Sequence, residues 1–123
     1  MVTAGSYHQV FQGQPEQVCQ VRHAVGQHVR DTPVADDVVL IASELAANAV
    51  LHSKSAGEVF AVSCQVSPQC VRVEVADLGG EWCTPELDGR PHGLDLITAL
   101  ATKWDVKPGT GGCRVVWARI DFP

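Results

Sequence analysis

Between Asp31 and His52 apolar residues return at helical spacing, with Val38, Ile41, Leu45 and Ala49 on one stripe. The segment opens on Asp31-Thr32-Pro33, a capping residue followed by proline, and places Asp36 and Asp37 in its first turn. Acids there complement the helix dipole. It ends before the turn-like run Ser53-Lys54-Ser55-Ala56-Gly57. A helix of this length with one apolar stripe has to bury that stripe against a second layer. A chain of 123 residues, 46% hydrophobic and 19% charged, is enough for one such core, so a single domain over residues 1–123 is expected.

The flanking patterns describe the other layer. Tyr7–Gln12 alternates loosely and predicts a first strand. Pro15 and Glu16 predict the start of a first helix, whose apolar face is Val18, Val21, Val25 and Val29. From Glu58 the period changes to two: Phe60, Val62 and Cys64 alternate with Val59, Ala61 and Ser63, and Ser67-Pro68-Gln69 makes a turn. Val71, Val73 and Val75 continue on one face, with Arg72 and Glu74 on the other, which predicts a hairpin with one wet face. A Gly- and Pro-rich loop runs from Asp77 to His92. Leu94–Ala101 reads as a helix, and Lys103–Val106 and Arg114–Ile120 as a closing hairpin. The expected fold is α+β: a two-layer sandwich, its sheet mixed but mostly antiparallel, with helices on one face.

Composition excludes several function classes. The formal charge is −5 and the nine Lys and Arg residues are scattered, which argues against binding a phosphate backbone. The first ten residues lack a basic start with an apolar run, and no apolar stretch is long enough to span a bilayer. The five cysteines are odd in number and never spaced C-x-x-C, so reduced thiols in a cytoplasmic protein are expected.

Four places could carry chemistry. Glu44, Asn48 and His52 stand at i, i+4 and i+8, on one helix face beside the apolar stripe. By spacing alone this row reads sooner as an ordinary solvent-facing line. The strand Val73–Ala76 runs into Asp77-Leu78-Gly79-Gly80, where a carboxylate could accept from a ligand amino group and glycine backbone could approach it. Gly93-Leu94 opens a helix, whose N-terminal N–H groups suit phosphate. The loop Pro108–Gly112 precedes the last strand. No G-x-G-x-x-G follows a first strand and no GK[ST] occurs, so the Rossmann and P-loop sites are not supported.

Taken in order, these segments resemble the motifs of the GHKL ATPases. Ser43–Ser53 resembles the asparagine-containing helix box, Asp77-Leu78-Gly79 the adenine-side box, Gly93-Leu94 the phosphate-side glycine box and Gly112 to Trp117 the last box. Spacing and length look most like the stand-alone anti-sigma-factor serine kinases. The resemblance implies that Asn48 holds a magnesium ion bridging the ATP phosphates and that Glu44 is the base orienting an attacking hydroxyl. It implies that Asp77 accepts from the adenine amino group, with Gly79 allowing close approach, and that Gly93 and Leu94 open the phosphate-binding helix. His52 would have a supporting role. The implied partners are a sigma factor or similar regulator and an antagonist protein, with a homodimer as an option through a strand such as Tyr7–Gln12. The chain also departs from the family pattern. Glu81 stands at the second glycine of the first box, Pro91 two residues before Gly93, and Val115 at a frequent threonine near the adenine. Proline there removes an N–H donor. A binding module that sequesters a partner with little turnover is the alternative.

Overall fold

The computed structural model describes residues 4–52, 58–77, 93–108 and 113–123. The chain runs β1 (Gly5–Gln12), α1 (Gln17–Val29), α2 (Ala35–His52), β2 (Val59–Ser67), β3 (Cys70–Asp77), α3 (Gly93–Leu100), β4 (Lys103–Pro108) and β5 (Arg114–Asp121). The strands form one sheet in the order β1-β2-β3-β5-β4, and each neighbouring pair is antiparallel. The α+β sandwich expected from the patterning is therefore present, with a sheet antiparallel in every pairing described.

Alternation decides which face the helices cover. Phe60, Val62, Cys64 and Val66 on β2 are buried, as are Val71, Val73 and Val75 on β3 and Val116, Ala118 and Ile120 on β5. The registers align these positions across the sheet, for instance Val62 with Val75 and Val75 with Val116. Onto this face pack Val21, Val25 and Val29 of α1, then Val38, Ile41, Ala42, Leu45, Ala46, Ala49 and Val50 of α2, and Ile97 of α3. Phe11 stacks on Phe60 at 5.6 Å between ring centroids, closing the β1 end of the core. The other face keeps its own polar order: Arg72 lies 4.2 Å over the Trp117 ring and pairs with Glu74 at 2.7 Å.

Two local readings change. The first helix begins at Gln17 rather than at Pro15 and Glu16. The Gln17 N–H donates to the Gln14 carbonyl at 2.9 Å and the Val18 N–H to the Pro15 carbonyl at 3.2 Å, so a tight turn precedes the regular helix. Thr32 is not spent on capping α2. Its hydroxyl and its N–H both donate to the Val29 carbonyl, at 2.8 and 2.9 Å, and close the end of α1. The α2 ladder starts with the Val38 N–H on the Val34 carbonyl at 3.0 Å.

Candidate functional site

α2 carries the helix pair. Its buried stripe runs through Ile41, Leu45 and Ala49, and Glu44 and Asn48 flank that stripe, half-buried, one turn apart. A row facing only solvent would be exposed. This one lies at the margin of the core, because α2 packs against β2, β3 and β5 on one side and α3 on another. His52 is the last residue of α2.

β3 supplies the carboxylate. Asp77 ends the strand in phase with Val71, Val73 and Val75, so its side chain points to the helix-covered face and the residue is 4% exposed. α3 begins at Gly93 and packs on α2, which brings the start of that helix into the same layer as Glu44 and Asn48. Leu94 is its second residue. Thus α2, which carries Glu44 and Asn48, packs against both β3, which ends in Asp77, and α3, which opens with Gly93 and Leu94. Gly79, Glu81 and Pro91 lie outside the described residues.

The structure adds a residue that the sequence reading passed over. Arg114, the first residue of β5, stands directly opposite Asp77 in the β3–β5 register, and its Nη2 donates to Asp77 Oδ2 at 3.3 Å. The side chains are 11% and 2% exposed, which makes this a buried ion pair. A signal was available: in Arg114–Ile120 the arginine is in phase with Val116, Ala118 and Ile120, and a cation on a buried face requires a counter-charge. Which acid would supply it depended on the pairing of β3 with β5, which sequence neighbours do not reveal.

Val115 is correspondingly reassigned. It pairs with Ala76 and Lys107, one position out of phase with Asp77, and so lies on the opposite face of the sheet. The residue of the closing strand beside Asp77 is Arg114, and the expectation that Val115 removes a hydroxyl near the base is withdrawn.

Glu44 and Asn48 each carry side-chain oxygens, the donor type a hard cation takes. Among the described residues no group of three or more His, Cys, Asp or Glu side chains could hold a metal ion. Magnesium needs no such cage, since it keeps waters and takes one or two protein oxygens together with phosphates. Cys19, Cys64, Cys70 and Cys113 are all free thiols. No described helix is long and apolar enough to cross a membrane.

The family model for the histidine kinase-like ATPase domain matches residues 11–120, nearly the whole chain. The chain therefore belongs to the histidine kinase-like ATPase domain family, and its α+β sandwich is that family's domain. No curated protein matches the sequence.

Proposed function

We propose that this domain binds magnesium-ATP and acts as an anti-sigma-factor-type serine/threonine protein kinase on an antagonist protein, while also binding a sigma factor or similar regulator. The observation that carries the reading is the half-buried Glu44–Asn48 pair on α2, packed beside the strand that ends in buried Asp77. Asn48 would offer its amide oxygen to the ion, and Glu44 would accept the proton of, and orient, a serine hydroxyl. Asp77 would accept from the adenine amino group. Magnesium, when bound, supplies positive charge against the charge spread over the transferring phosphoryl oxygens. The family match supports ATP binding as the starting point of this reading.

Calorimetric titration with magnesium-ATP tests it. The wild-type chain should bind, and Asn48→Ala should lose about tenfold or more of that affinity, the worth of one ligand to a charged centre. A wild type with no affinity at millimolar ATP sinks the nucleotide reading. Transfer of phosphate to a co-expressed antagonist, lost in Glu44→Ala while ATP binding persists, separates the kinase from its rival. That rival, a module that sequesters its partner with little turnover, is favoured by Glu81 at a glycine position of the first box and by Pro91, two residues before Gly93 in sequence, which has no N–H to donate.

A further inference from the structure

We propose that Arg114 is a positioning residue for base recognition. It supplies the counter-charge to the Asp77 carboxylate and fixes its plane, so that Asp77 reads a purine's exocyclic amino group. The inference rests on the ATP reading above. Asp77 ends β3 and Arg114 begins β5, directly opposite in register, and both side chains project to the face the helices cover. Their ion pair, 3.3 Å from Nη2 to Oδ2, is almost withdrawn from water. A carboxylate in that setting is costly to bury alone, and a guanidinium answers its charge with a planar, rigid fork. The backbone under both residues belongs to one antiparallel ladder, so the orientation is set by strands and not by a loop. A carboxylate is acceptor-only, which makes it selective for a ligand N–H. Arg114 thus acts through Asp77 and need not touch the nucleotide.

The probe is a pair of ligands with magnesium: ATP, and purine riboside 5′-triphosphate, which keeps ring, ribose and phosphates but lacks the 6-amino group. Wild type should bind ATP about tenfold or more tighter than the analogue, since the analogue has no amino N–H to donate to the Asp77 carboxylate. Arg114→Gln should reduce that ratio to about twofold while leaving analogue affinity within about twofold of wild type, and Arg114→Lys, which keeps the charge but not the planar fork, should recover only part of the preference. If Arg114→Gln keeps the wild-type ratio, even with both affinities lowered together, the role is structural and the proposal is overturned. Because the glutamine variant leaves Asp77 without its cation, a second measurement uses wild type alone. The Arg114 Nε–H NMR resonance should move on adding ATP and stay in place with the analogue; no movement with ATP overturns the proposal. The two readings fail differently. Wild type that binds neither ligand refutes ATP binding, whereas wild type that binds both equally refutes only the base contact through Asp77 and Arg114.

Discussion

Cys64 shows what burial does to a single ionisable side chain. It sits on β2 with 2% exposure, opposite Tyr7 in the β1–β2 register, and desolvation pushes its thiol up to about 12 from 9.0. Tyr7 is raised in the same direction, first by its own burial and then by the charge Cys64 would carry. The folded state therefore holds the Cys64 proton over a range of pH in which the unfolded chain releases it. Stability from this source is complete below pH 9.0 and is lost as pH rises from there toward about 12. Urea unfolding under reducing conditions should show the unfolding free energy falling above pH 9.0, by up to about 1.4 kcal/mol per pH unit, with Cys64→Ala flattening that slope. An equal slope in both proteins would assign the effect elsewhere. Among the described cysteines, exposed Cys19 should alkylate ahead of buried Cys64 in the native protein.

At the scale of elements, α1 and α2 are joined by a short link. Thr32 closes α1, and Gly26 marks where that helix comes close to α2. A Cβ placed on Gly26 would meet Val39 Cγ2 at 3.5 Å, an ordinary contact. Gly26 lies inside a helix, where glycine costs about 0.5–1 kcal/mol relative to alanine. Gly26→Ala should therefore stabilise the protein by roughly that amount in denaturant unfolding. Destabilisation would show that the two helices need closer contact than the added methyl permits. The helix patterns were readable because their stripes are long. Val21, Val25 and Val29 of α1, and Val38, Ile41, Leu45 and Ala49 of α2, are all buried. The ends were less readable, because Thr32 can bond forward to α2 or back to α1, and only the path of the chain chooses.

For the whole molecule, one core links both layers. Phe60 and Val62 from β2, Ile41 and Leu45 from α2 and Ile97 from α3 belong to the same buried cluster. The chain should accordingly unfold in one transition, with far-UV circular dichroism and tryptophan fluorescence coincident. Trp104 packs against this core and Trp117 lies on the other face under Arg72, so fluorescence samples both sides of the sheet. Phe60→Ala should cost about 3–5 kcal/mol and lower both probes together. Separate transitions would instead show two independently stable units.

Periodicity determined the helices, the hairpins and the apolar faces, because each depends on residues near one another in the chain. The candidate roles of Glu44, Asn48, Asp77 and Gly93 came from the resemblance of the ordered segments to the family's motifs. The tertiary structure decided what lies beside Asp77. β5 enters between β3 and β4, and that insertion sets Arg114 opposite the carboxylate while turning Val115 to the far face. No local pattern encodes a pairing across so long a stretch of chain; the register follows from burying Val116, Ala118 and Ile120 in line with Val71, Val73 and Val75. The helix face of Glu44 and Asn48 is thus legible in the sequence, and the charge environment of the carboxylate that would complete the site comes from the sheet.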